Sequence, residues 1–306
     1  MTQKTHKTIY AVAHALVVVL TFEGLIAILN LNQPEAFFRT AFYVGFFYIL
    51  QVALLYDLHN KDLKNSTATL SAIKRRFGYL WSGRFLRQWL RYLILPGLIY
   101  WGSLVAFYLN FGFPKIQQII VVLSSVAFFV NYFYLKEIFS RRNNAVDRDI
   151  FVILSVVKIY ASVLVYGAVL GLVRSNCLSE FYVAAAVLPL TFLLIYQALF
   201  QHRLITYKNL IITLLISCAM SVLSYLVVIF WGYNYFTAAV FLTACYNLLW
   251  GTFHYHLDHL LTWRAFWEIF IISLIVAAML VSVTNFRAKL FNGCEYKLEI
   301  SGIKFN

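Results

Sequence analysis

The chain of 306 residues contains 62% hydrophobic and 12% charged residues, and its mean hydropathy is +0.77. A water-soluble protein of this size has too little interior to hide so many apolar side chains, so the composition excludes a soluble domain and indicates an integral membrane protein. The formal net charge of +13 comes from an excess of Lys and Arg over Asp and Glu. Such an excess favours contact with a negatively charged partner.

About nine apolar runs are long enough to cross the hydrocarbon core as helices, which needs roughly 20 residues each. Because they lack the alternation of an outer-membrane barrel, we expect an all-α, polytopic membrane helix bundle. We expect residues 1–284 to form a single transmembrane domain and residues 285–306 to form an external tail, with a small hairpin as one option. The predicted spans are Ile9–Leu29, Phe37–Tyr56, Tyr92–Leu109, Ile116–Leu135, Ile150–Val173, Phe181–Phe200, Leu210–Phe230, Tyr235–Thr252 and Ala265–Val283.

Lys and Arg are concentrated in alternate connections between these runs, as they are in cytoplasmic loops. The richest connection runs from Lys61 to Arg91, whereas the loops of the other set hold only Arg39, Lys115 and Arg174. This bias predicts a cytoplasmic N-terminus and an external C-terminus. The predicted partners are therefore the lipid bilayer and its anionic headgroups, which attract nearby cations, and nucleic acid is not expected.

Residues 66–91, between the second and third runs, have the pattern of an amphipathic helix. Leu70, Ile73, Phe77 and Trp81 recur at helical spacing, and Lys and Arg residues lie between them. A basic helix with aromatic rings on its other face usually lies in the membrane interface. We therefore expect a cytoplasmic interfacial helix here, either as a structural elbow or as a regulatory site for lipid or protein.

All seven histidines fall in the predicted cytoplasmic half, and the densest run follows the eighth apolar segment. His254, His256, Asp258 and His259 supply imidazoles and a carboxylate, which are ligands that zinc and iron accept. One helix cannot surround a metal, so His202 is a candidate ligand from another segment. The alternative is an interfacial polar cluster without metal.

The letters HxHxDH also resemble the signature of the metallo-β-lactamase superfamily. That superfamily has a soluble fold with further ligands downstream, whereas this motif joins two membrane spans and no histidine follows His259. The likeness covers six residues, and we do not assign the chain to that superfamily.

Ionisable groups inside the spans are candidates for function, because placing one in hydrocarbon costs at least about 2.5 kcal/mol. His14 lies inside the first span, Glu23 lies beyond its middle, and Lys158 lies within the fifth. Glu23 can instead bond to a neighbouring helix, and Lys158 can extend toward the interface.

Cys177 and Cys294 fall on the predicted external side, where a disulfide can persist, although both can also be free thiols.

Two functions follow from the sequence. The sparse polar chemistry favours a non-catalytic transport or scaffold component, and the histidines favour a metal-dependent membrane enzyme that acts on a lipid or another apolar substrate at the cytoplasmic face.

Overall fold

The computed structural model describes residues 3–59, 83–140, 148–176, 178–201, 204–231, 234–257 and 262–283. Across these residues the chain forms nine α-helices and no strands, which confirms the predicted all-α class. The helices are α1 (Gln3–Asn30), α2 (Pro34–His59), α3 (Gly83–Leu109), α4 (Pro114–Ser140), α5 (Arg148–Ser175), α6 (Phe181–Gln201), α7 (Tyr207–Phe230), α8 (Tyr235–Leu257) and α9 (Trp263–Val283).

Seven of the helices in the described part of the chain are long and apolar enough to cross a membrane. They are α1 and α3 to α8, and α9 contains a shorter apolar stretch, Phe266–Ser282. The protein is therefore a multi-pass integral membrane protein, as the composition predicts. The tail over 285–306, and residues 66–82 of the segment expected to lie in the interface, fall outside the described residues.

The short connections follow from residues that stop or start a helix. Asn32 and Gly112 adopt positive φ angles of 56° and 85°, in the turns that follow α1 and α3. Pro34 and Pro114 then begin α2 and α4, at positions where the missing N–H would have no helical partner. Consecutive helices joined by such tight turns reverse direction.

The chain divides into two compact units, Met1–Ala161 and Ser162–Asn306. In the first unit, α1 packs most extensively against α4. Its core is built around Phe22, which contacts the rings of Tyr100, Phe107 and Phe128. Aromatic side chains therefore fill the interior that α1 shares with α3 and α4.

A hydrogen bond and a glycine bring α2 close to α3 in the same unit. The Tyr100 hydroxyl donates to the Ala41 carbonyl at 2.6 Å. A Cβ atom added to Gly45 would lie only 3.1 Å from the Tyr100 Cε1 atom. The absence of a side chain at Gly45 thus makes room for the Tyr100 ring.

In the second unit, α6 packs most extensively against α7. The Ser221 hydroxyl donates to the Ala184 carbonyl of α6 at 2.7 Å, while Thr213 and Ser217 bond back to their own helix. Small hydroxyl residues let two membrane helices approach closely without leaving a polar group unpaired. Gly167 of α5 likewise faces Ala239 of α8, so it serves packing inside this unit.

Candidate functional site

The His14 side chain, predicted as an intramembrane polar group, is buried among three helices of the first unit. Its ring stacks on Tyr132 of α4, with centroids 4.5 Å apart, and lies 5.8 Å from the Tyr48 ring of α2. The Gln51 Nε2 atom of α2 lies 3.5 Å from its Nδ1 atom. The helices thus bring together polar side chains that are far apart in sequence, with His14 buried and Gln51 exposed at the edge of the group.

Three buried polar atoms at this place have no hydrogen-bond partner in the described part of the chain. They are His14 Nε2, Tyr48 Oη and Asn131 Nδ2. The Asn131 side chain lies within weak hydrogen-bonding reach of the Tyr48 hydroxyl, but this contact does not meet the full geometry of a hydrogen bond at either atom. We call His14, Tyr48, Gln51, Asn131 and Tyr132 the His14 cluster.

The unpaired atoms of the His14 cluster are mainly donors. An amide nitrogen can only donate, so the 3.5 Å contact of Gln51 Nε2 with His14 Nδ1 favours the tautomer with the imidazole proton on Nε2. Asn131 Nδ2 carries two hydrogens and the Tyr48 hydroxyl carries one. The cluster can therefore donate hydrogen bonds to an acceptor group from three helices.

A second polar group in the same unit is fully paired and provides a contrast. The Ser103, Ser124 and Tyr160 hydroxyls form a chain across α3, α4 and α5, with both oxygen–oxygen distances 2.7 Å. Ser103 also donates to the Ile99 carbonyl at 2.7 Å. Paired hydroxyls of this kind join membrane helices, which is a structural role.

The other two intramembrane groups predicted from the sequence lie elsewhere. The Gln118 Nε2 atom of α4 donates to the Glu23 carboxylate of α1 at 3.2 Å, so Glu23 has the neighbouring-helix partner that the sequence allowed. Lys158 of α5 is only 3% exposed. Neither residue belongs to the His14 cluster as defined above.

The histidine run predicted as a metal site lies at the end of α8. His254 is half-buried, with its ring 5.3 Å from the Trp250 ring, and His256 is exposed. Asp258, His259 and His202 lie outside the described residues, as do Cys177 and Cys294. Within the part of the chain that is described, no three His, Cys, Asp or Glu side chains are grouped to hold a metal ion.

The second unit also has a buried tyrosine pair in its core. The Tyr166 and Thr191 hydroxyls lie 2.9 Å apart, and the Tyr246 ring packs 6.4 Å from the Tyr166 ring. The Tyr246 hydroxyl has no partner among the described residues. On α6 of the same unit, Gln197 Oε1 and both amide atoms of Gln201 are also buried and unpaired among the described residues. The unpaired donors of this unit are therefore Tyr246 Oη and Gln201 Nε2, against three donor atoms in the His14 cluster.

No protein-family model, curated protein or solved structure matches this chain.

Of the His14 cluster, only His14 was predicted from the sequence. Tyr48 and Tyr132 resemble the many tyrosines of a chain that contains 21 of them. Asn131 and Gln51 are uncharged amides, which did not stand out beside the ionisable residues. The sequence feature that could have indicated Asn131 and Gln51 is an amide within an apolar run, because an amide in hydrocarbon needs a hydrogen-bond partner.

Proposed function

We propose that this protein is a non-catalytic membrane component of the transport type, and that the His14 cluster is its intramembrane binding site. The observation that carries the proposal is the set of unpaired donors on His14, Tyr48 and Asn131. A buried donor without a partner costs about 1–3 kcal/mol. Three such groups on three adjoining helices favour a role in binding a solute over a role in stability.

A scaffold function is the competing form of the same proposal, and side-chain accessibility separates the two. In a cysteine-free background, Ser125→Cys and Asn131→Cys would be treated with a membrane-impermeant methanethiosulfonate reagent from each side of reconstituted vesicles. A carrier exposes its site to the two sides in turn, so we expect modification from both faces. Ser125 is a suitable position because it is buried on α4 and its hydroxyl is unpaired.

Ser103→Cys is the matched control for this experiment. Ser103 is buried in the same unit, but its hydroxyl belongs to the fully paired chain. We expect no modification of this variant from either side. Protection of Ser125→Cys and Asn131→Cys from both sides would contradict a carrier and leave the scaffold function.

The full topology belongs to this proposal as well. We propose nine transmembrane spans, with the N-terminus in the cytoplasm and the C-terminus outside. Residues 66–91 would form a basic interfacial segment against anionic headgroups, and its part over 83–91 is the start of α3. The Lys and Arg distribution supports this arrangement. Reporter fusions at the two termini test it, because the topology requires activity of a cytoplasmic reporter at the N-terminus and of an external reporter at the C-terminus.

In this topology Cys177 and Cys294 lie on the same external side, so a bond between them is open to a simple test. A disulfide would change the migration of the protein between reducing and non-reducing gels. The Cys294→Ser variant would abolish that change. Equal migration under both conditions would show free thiols.

The alternative function is a metal-dependent enzyme at the cytoplasmic face that acts on a lipid or another apolar substrate. It is supported by the position of His254 and His256 in the last turn of α8, just before Asp258 and His259, with His202 as a further ligand. A divalent metal would be the cofactor. The metal content of the purified protein distinguishes this alternative from the transport function.

A further inference from the structure

We infer that the His14 cluster binds the carbonyl oxygen of a lipid-soluble molecule, an inference that rests on the proposed binding function and specifies its ligand. The ligand class follows from three properties of the cluster. Its free groups are mainly donors, its five side chains include no Lys or Arg, and its surroundings are aromatic. Each property narrows the chemistry that the site accepts.

The excess of donors selects an acceptor. His14 Nε2 and Asn131 Nδ2 can only donate when His14 Nδ1 accepts from Gln51, and the Tyr48 hydroxyl has a hydrogen to give. A ligand that offers only donors, such as an ammonium group, would leave these atoms unpaired. A carbonyl oxygen has two lone pairs and can accept from two of them at once.

The lack of a cation selects an uncharged acceptor. None of the five side chains of the His14 cluster is Lys or Arg, and the Gln51 contact requires the neutral form of His14. A carboxylate or phosphate brought into such a site would lose its hydration without gaining an ion pair. A ketone, ester or amide carbonyl carries no such penalty.

The surroundings select an apolar body. One face of the His14 ring is covered by Tyr132, and the Tyr48 ring packs edge-on against Phe128 with centroids 5.4 Å apart. The ligand must therefore reach the Nε2 edge of the imidazole between aromatic rings. Hydrocarbon next to the carbonyl suits that environment.

Infrared spectroscopy tests this inference directly. The full-length protein would be reconstituted in nanodiscs of ether-linked lipids, which lack carbonyl groups, and given 2-dodecanone labelled with carbon-13 at the carbonyl. A hydrogen bond lowers the carbonyl stretching frequency. We expect a saturable, low-frequency carbonyl band that is absent from nanodiscs without the protein.

Two substitutions link the band to the His14 cluster. Tyr48→Phe and Asn131→Leu each remove unpaired donors, and we expect each to weaken ketone binding at least several-fold and to reduce the shifted band. Tyr100→Phe is the matched control, because it removes a hydroxyl that is already paired with Ala41 in the same unit. The band should survive in that variant. If Asn131→Leu does not fold, Tyr48→Phe keeps the ring and carries the test.

A second arm identifies the source of the carbonyl. In nanodiscs of ester-linked lipids, loss of the ketone band would show that a lipid ester carbonyl occupies the cluster, and persistence would show a preference for the free molecule. Either result supports the inference. It is overturned if no shifted band appears in ether-linked nanodiscs, or if the band is unchanged in both Tyr48→Phe and Asn131→Leu.

Failure of this inference and failure of the proposed function give different results. If Asn131→Cys is modified from both sides but no shifted ketone band appears, the transport function stands and the ligand class is wrong. If the band appears but the cysteine is protected from both sides, the ligand class stands and the transport function is wrong.

Discussion

The imidazole of His14 stacks on the ring of Tyr132 with the two planes inclined by 20°. This contact joins the first half of α1 to the last part of α4. It covers one face of the His14 ring, whose Nε2 atom is unpaired among the described residues. That nitrogen is buried and lies in the plane of the ring. A ligand of the proposed site would bond to Nε2 in the plane of the ring. Hydrogen bonding, and not stacking on the imidazole, would then decide which ligands fit.

Two tyrosines of the first unit should respond differently to removal of the hydroxyl. Tyr100→Phe loses the bond to the Ala41 carbonyl and should lower the free energy of unfolding by about 1 kcal/mol. Tyr48→Phe removes a buried hydroxyl that has no partner among the described residues, so its stability should be unchanged or higher by up to about 1 kcal/mol. Reversible unfolding in mixed micelles measures both, and equal losses would contradict the assignment of Tyr48 to a binding site.

Adjacent serines of α4 provide a second matched pair. Ser124 bonds to both Ser103 and Tyr160, and Ser124→Ala should cost about 1 kcal/mol, the scale of hydrogen bonds between membrane helices. Ser125 is also buried, but its hydroxyl is unpaired, so Ser125→Ala should leave the stability unchanged or raise it. The same unfolding measurement applies, and a larger loss in Ser125→Ala would reverse our interpretation of the two side chains.

Gly45→Ala should destabilise the first unit by about 1 kcal/mol, an overpacking cost at the low end of the usual range. The new methyl group would lie 3.1 Å from the Tyr100 Cε1 atom, and the bond from Tyr100 to Ala41 holds that ring in place. Gly24→Ala is the control, since nothing lies within 4 Å of its added Cβ atom. That variant should unfold like the wild type or slightly later, and a comparable loss in both variants would argue against a close approach at Gly45.

The purified protein should contain no stoichiometric zinc or iron if it is a transport component. Treatment with EDTA should then leave its unfolding temperature unchanged, and His254→Ala with His256→Ala should have no effect on metal content. Plasma emission spectrometry after purification without a histidine tag is the measurement. One metal ion per chain that is lost in the double variant would support the enzyme instead.

The membrane class and most of the helices are determined by the sequence alone. An apolar run of sufficient length must form a helix in hydrocarbon, because every backbone polar group has to be paired within the segment. Pro34 and Pro114 mark helix starts for the same local reason, since proline lacks the N–H that a helix interior requires. Such signals act over a few residues, so they can be read without knowing the tertiary structure.

The composition of the site was decided only by the tertiary structure. His14, Tyr48 and Asn131 lie on three different helices, and a helix that is apolar all round carries no amphipathic signal to show which face meets which neighbour. Ionisable residues were selected from the sequence because of their cost in lipid, yet packing gave Glu23 a partner in Gln118 while it left the amide nitrogen of Asn131 unpaired. Which polar groups are satisfied depends on the rotation and depth of each helix, and those are set by contacts between segments far apart in the chain.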